Sequence, residues 1–274
     1  MKRYALRSMA AAVFALLLFA SMSTAAAAAS YELSKTVKKS FDAMTESAGG
    51  KLRTQLNGQY GKWLELQERI RGSEAELKSL QQANDESLKA IRERIKRIDE
   101  DKIAPLKQSA AETKERYKPL LDSYTAVNKQ IEAARPLQNK ELNAMLRMQA
   151  DSLKIPVQLA RSDMKAKDAA LKAAKDAAAA KQKKARDTLE AIEAHEEAIK
   201  AEKTAAAAVK KSLDADWKTF APLVKQGDAN GSSEKLAAML DRLEQLARHK
   251  TNMVEAENKI AAVIEKAKKL LPGA

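Results

Sequence analysis

Between Gly72 and Gly227 the chain runs for 154 residues without a glycine. Glycine is the usual helix terminator and the residue that left-handed turns require. A sheet protein needs turns every 8–12 residues or so, and so long a middle without glycine leaves little room for them. The stretch therefore has to be helix, in long pieces. Composition agrees: 32% of residues are charged, only 4% are aromatic, and alanine inflates the 45% hydrophobic content. The expected fold is all-α, an elongated antiparallel coiled-coil hairpin with additional packed helices and no β-sheet.

The N-terminus has a different character. Lys2, Arg3 and Arg7 precede MAAAVFALLLFA, an apolar run of 12 residues, and STAAAAAS follows. A basic start, a short apolar core and small residues form the pattern of a secretory signal peptide over residues 1–29. Cleavage is expected after Ala27, Ala28 or Ala29. The run is short against the ~20 residues that span a bilayer. Removing three of the 50 basic residues leaves 47 against 37 acids, a net charge of +10. The chain has no cysteine, so no disulfide can staple it. Export without disulfides leans towards a bacterial envelope, surface or extracellular location.

Apolar periodicity divides the remainder. Leu33, Val37, Phe41 and Met44 mark a short helix over 30–47. Four of the eight glycines fall within 48–61, which predicts a loop there. A long helical hairpin is expected over 62–226. In its first strand Leu77, Leu80 and Asn84 recur eleven residues later as Leu88, Ile91 and Ile95, a spacing that weakens or reverses the usual supercoil. Two seven-residue rows follow, Ile103 to Ile131 and Leu106 to Ala134, the inward rows of a coiled coil. Pro105 and Pro119 fall on the outward side of that register, so they should bend the helix without ending it. Pro136 should follow a corner at 136–140, and facing partners then bring Trp63 against Trp217. A corner at 154–157, around Pro156, is the alternative and lacks this aromatic match. In the returning strand a row from Met164 to Phe220 keeps seven-residue spacing beside a mostly polar companion row. A turn is expected at 227–231, with Ser232 or Ser233 as the helix cap. A coiled-coil helix over 232–271 then folds back along residues 187–226. Lys250 and Glu257 in its seam either fix pairing register or reach solvent.

Chemistry is scarce. The two histidines, His195 and His249, lack a second ligand at helical metal spacing. Phosphate loops, dinucleotide fingerprints and the serine elbow are missing. Carboxylates interleave with lysines in the manner of a solvated helix face. No cofactor, metal or catalytic residue is expected, and the chain reads as a non-enzyme. Two groups remain as candidate sites. Lys181, Lys183, Lys184 and Arg186 form the densest basic cluster, a candidate anion contact. Tyr60, Trp63, Trp217 and Phe220 form an aromatic end cluster, more in keeping with closing the bundle than with binding.

The expected function is that of an exported spacer, scaffold or binding module. Its partner would be an anionic envelope polymer or another exported protein, and homo-oligomers fit the same reading. Nucleic acid is not expected, because export separates it from this chain and no stacking platform accompanies the basic cluster. Stable membrane insertion is not expected after the leader is removed. A holdase chaperone for exported proteins is the alternative, and a membrane-active helical toxin stands third.

Overall fold

The computed structural model describes residues 32–272; the leader and its cleavage position lie outside the described residues. Six α-helices make up the fold of the described residues: α1 (Lys35–Ser47), α2 (Gly50–Lys96), α3 (Glu100–Ala134), α4 (Lys140–Glu190), α5 (Ile192–Gln226) and α6 (Ala229–Lys268). Among the described residues there is no strand.

The chain turns back at the end of α3. A single 3-10 turn, Arg135–Leu137, starts with Pro136 near its head, where proline's missing donor costs nothing. Gln138 adopts a left-handed conformation at φ 53°, and Asn139 caps α4 by accepting from the Leu142 amide at 3.0 Å. The strands then run antiparallel. Tyr117 donates to Asp163 at 3.2 Å, Asp99 meets Lys181 at 2.6 Å, and Trp63 stacks on Trp217. These are the pairs that a corner at 136–140 requires. The alternative corner at 154–157 lies in the interior of α4, where Val157 is buried and Pro156 faces water.

Pro105 and Pro119 also sit inside a continuous helix, on its exposed side. The carbonyls they leave without a donor belong to Asp101 and Glu115, both exposed, so water can satisfy them. The seam opposite is undisturbed.

Besides its corner, the hairpin expected over 62–226 is interrupted twice. Ala191 separates α4 from α5. Between α2 and α3 the backbone breaks at 97–99, where Asp99 takes φ 56°. This break coincides with the end of α6: Arg94 donates to the Pro272 carbonyl at 3.4 Å, and both Ile98 and Leu271 are buried. The chain bends where the third helix stops.

That third helix divides the rod into two unlike halves. α6 runs parallel to α2 and antiparallel to α5, and its backbone approaches both closely. Gln59 donates to the Ser233 carbonyl, Lys250 pairs with Glu74 and Asn84 with Glu257 along the first interface. Asp216 holds Lys235 and Arg242, and Glu202 meets His249, along the second. This base, with α1 laid against α2 and α5, contains one continuous apolar cluster that reaches Ile98 and Ala178. Beyond it only α3 and α4 remain, as a two-stranded arm. The buried side chains of the arm are few and mostly small: Ala110, Thr113, Val127 and Ala134 on α3, and Leu146, Ala150, Val157 and Ala160 on α4.

Two local expectations are corrected. The glycine-bearing stretch 48–61 is not a loop; helix α2 begins at Gly50, and only Ala48 and Gly49 separate it from α1. Leu56 is fully buried, and apolar burial of that kind offsets the ~1 kcal/mol each interior glycine costs. The six residues of the eleven-residue recurrence in α2 all pack inward, and a seven-residue row runs beside it, since Leu56, Trp63, Ile70, Leu77, Asn84, Ile91 and Ile98 are all buried. Asn84 occupies an inward position, which hides the heptad from any count of apolar residues. Finally, α6 starts at Ala229 and is capped by Asp228, whose carboxylate accepts from the Gly231 amide at 2.9 Å. Ser232 and Ser233 lie buried inside the first turns. The turn is therefore shorter than 227–231.

The glycines inside α2 give a direct test. A Cβ at Gly58, Gly61 or Gly72 would meet nothing within 4 Å, and all three positions are exposed. Gly58→Ala, Gly61→Ala and Gly72→Ala should each stabilise the fold by about 0.5–1 kcal/mol in urea unfolding. Gly227→Ala should do the opposite, because Gly227 ends α5 at φ 74°. Destabilisation by the α2 substitutions would mean that this stretch is not helical.

Candidate functional site

The aromatic cluster is assembled from three helices. α2 contributes Tyr60 and Trp63, α5 contributes Trp217 and Phe220, and α1 adds Phe41. Trp63 and Trp217 stack with centroids 5.6 Å apart and planes 12° from parallel. Phe220 tilts against Trp217 at 5.9 Å. Phe41 sits 5.2 Å from Tyr60 and 6.4 Å from Phe220, and Lys38 lies over the Tyr60 ring. Trp63, Phe41 and Phe220 are buried, while Tyr60 and Trp217 are half-buried at the edge of the cluster. The four expected residues do come together. Phe41, which the sequence marked only as part of a short amphipathic helix, completes the set. The cluster joins the far end of the base across α2 and α5.

The basic cluster is less free than its sequence suggests. Lys181 pairs with the buried Asp99 at 2.6 Å, Lys183 pairs with Asp187 at 2.6 Å, and Arg186 donates to Gln182 at 3.5 Å. Lys184 alone of the four points outward without a side-chain partner among the described residues. Lys181 crosses from α4 to the break between α2 and α3. Its hydrogen bond, with help from Lys102, holds the Asp99 carboxyl below its ordinary range and fixes the bend between base and arm.

Other polar groups are likewise committed to helix pairing. Asn84 donates to both the backbone carbonyl and the Oε2 of the buried Glu257, each at 2.9 Å. Lys250 reaches Glu74 at 2.7 Å. Both polar seam residues of α6 therefore cross-link it to α2, which matches the register role rather than simple solvation. On the other side, hydrogen bonds from His249 and then Asn252 lower the Glu202 carboxyl. Burial alone would raise Asp216, but the bonds from Arg242 and Lys235 together outweigh it and leave the carboxyl low. A shallow open groove of about 330 Å3 between α2 and α6 is lined by Lys62, Leu66, Arg69, Glu244 and Arg248, with Lys62 and Glu244 already paired across it. Among the described residues no group of three or more His, Asp or Glu side chains is placed to hold a metal ion. No described helix is long and apolar enough to cross a membrane.

One surface was missed. Near the tip of the arm, Leu137, Met145, Met148, Ile155 and Leu159 are 59–72% exposed. The last four lie on the outer face of α4, on the side away from its seam with α3. Their 3-4 spacing through Ser152 was available in the sequence. It went unread because the apolar rows of the hairpin leave off at Ala134 and resume at Met164.

No known protein family, curated protein or solved structure matches this chain.

The ion pairs predict an acid limit with a definite sign. Asp99, Asp216 and Glu202 titrate lower in the folded chain than in the unfolded one. Their stabilisation is fully present above the unfolded carboxylate range, about pH 4, and is lost as pH falls through the lower folded values. Thermal melting should therefore weaken below about pH 4, and Asp216→Asn should lower stability at pH 7 while flattening that acid limb. An unchanged limb in Asp216→Asn would show that the contacts to Arg242 and Lys235 do not form.

Proposed function

We propose that this chain is an exported, non-enzymatic helical rod of the bacterial envelope, in which the base is the packed body and the arm is a spacer that presents its tip to a partner. The observation that carries this reading is the change in construction along the rod. Apolar burial is concentrated where three helices meet, whereas the arm keeps a thin seam and leaves large apolar side chains outside near its end. A chain that only needed to be stable would bury Met145, Met148, Ile155 and Leu159. Exposed apolar patches of this kind mark interaction sites. Export rests on the leader pattern of residues 1–29, and the partner classes that suit a basic rod are an anionic envelope polymer or another exported protein.

A holdase role draws on the same stripe. Methionine-rich surfaces adapt to varied apolar segments. Suppression of client aggregation that is lost in Met148→Asp/Ile155→Asp would favour it.

Localisation is the direct test of the main reading. Expressed with its own leader in a two-membrane bacterium, the chain should be recovered outside the inner membrane, beginning at residue 28, 29 or 30 by mass spectrometry. Recovery of the uncut chain in the cytosol would overturn the proposal.

A further inference from the structure

Beside the exposed apolar stripe on α4 runs a row of cations. Arg147, Lys154 and Arg161 recur every seven residues, all exposed, and none makes an ion pair among the described residues. On a helical projection they lie between the stripe and the α3 seam, on one flank, with Lys140 and Lys165 in line at either end. The other flank offers the uncharged Gln149 and Pro156. Glu141 and Asp151 interrupt the pattern without balancing it.

The geometry points to this face of α4 as a contact for an anionic phospholipid surface. An apolar stripe bordered by lysine and arginine is the composition of a helix that lies in the plane of a membrane interface, its apolar side chains buried ~5–10 Å deep. The stripe from Met145 to Leu159 is about 21 Å long, and its exposed area is on the order of 500 Å2. That is less than the ~800 Å2 per partner of an ordinary stable protein interface. The face is also a convex ridge on a single helix. A lipid surface accepts a ridge without a complementary groove.

A second copy of the chain fits poorly. If two α4 helices paired antiparallel about Ser152, the two-fold would put both cation rows on the same flank, with Arg147, Lys154 and Arg161 of one copy only three or four residues along the axis from those of the other. Like charges set against each other disfavour that dimer. In a parallel pair the cation row would face Gln149 and Pro156 of the copy, which offer it no opposite charge.

The inference takes from the proposed function only that the arm stands free of the base. Its test uses the chain from Ser30, which holds every described helix, and extruded vesicles. Phosphatidylglycerol-rich vesicles should sediment the chain at 50 mM salt, with binding falling at least ten-fold at 500 mM as the lipid charge is screened. Pure phosphatidylcholine vesicles should bind it at least ten-fold less. Met148→Asp/Ile155→Asp and, separately, Arg147→Glu/Lys154→Glu should each reduce binding at least ten-fold without changing helix content, since all four side chains are exposed. Substituting Lys183 and Lys184 by Glu should have little effect. Absence of vesicle binding would overturn the inference, as would binding that the Lys183/Lys184 change abolishes and the tip changes leave intact. A dimer in light scattering that Met148→Asp/Ile155→Asp disperses would assign the stripe to a second copy instead. Failure here in a chain that is correctly exported would leave the rod reading standing.

Discussion

α6 carries three apolar rows where a two-stranded coil uses two. Leu236, Leu243 and Ile264 lie on one, Met239, Leu246, Met253 and Ile260 on the second, and Leu240, Ala247 and Val254 on the third. One neighbour cannot cover a face that wide, so α2 and α5 must both close on it. The base follows from this requirement. Because α2 and α5 approach each other less closely than either approaches α6, the space between them at the far end is filled by the largest side chains available, Trp63 and Trp217. Where α6 stops, the enclosure stops. The chain bends at Asp99, and the two remaining helices continue alone.

Charge is organised around the same constraint. The polar groups at the inner edges of α6 find partners across its two interfaces: Asn84 with Glu257 and Glu74 with Lys250 on the α2 side, Asp216 with Arg242 and Glu202 with His249 on the α5 side. Breaking the buried Asn84–Glu257 pair leaves the remaining partner without compensation, and the half-buried ion pairs add to it, which makes slippage by a heptad costly. The register of the base is therefore fixed by polar contacts, while its stability comes from apolar ones. The arm has few devices of this sort beyond Tyr117 with Asp163 and Lys114 with Asp168. Its alanine-rich seam buries little area, so α3 and α4 depend on intrinsic helix propensity more than the base helices do.

Much of this was legible in sequence because helical periodicity is a strong signal over long stretches. The antiparallel hairpin, its corner near Pro136, the outward prolines and the meeting of Trp63 with Trp217 all follow from seven-residue rows and one alignment. The misreadings have physical causes. Glycine was weighted as a breaker over 48–61, yet Leu52, Leu56 and Tyr60 continue a helical stripe whose burial overrides it. Asn84 disguised the heptad of α2 because a polar residue there is paired with Glu257 rather than solvated. The third row of α6 was overlooked because a two-row template satisfies a coiled coil, and only a helix with two neighbours needs more. Of the candidate sites, the aromatic cluster was visible through spacing. Within the basic cluster, Lys181 appeared free because its partner Asp99 lies 82 residues away. The stripe at the tip was in plain view, but periodicity alone cannot tell a buried face from an exposed one.

The central claim is that burial ends with α6 and leaves a slender arm projecting from the base. Small-angle X-ray scattering on the chain from Ser30 tests it most directly. Helices α2 and α3 end to end give a rod of about 125 Å, for which the radius of gyration should be roughly 35 Å. A value near 18 Å, that of a compact domain of this length, would mean that the arm folds back on the base and would contradict the account.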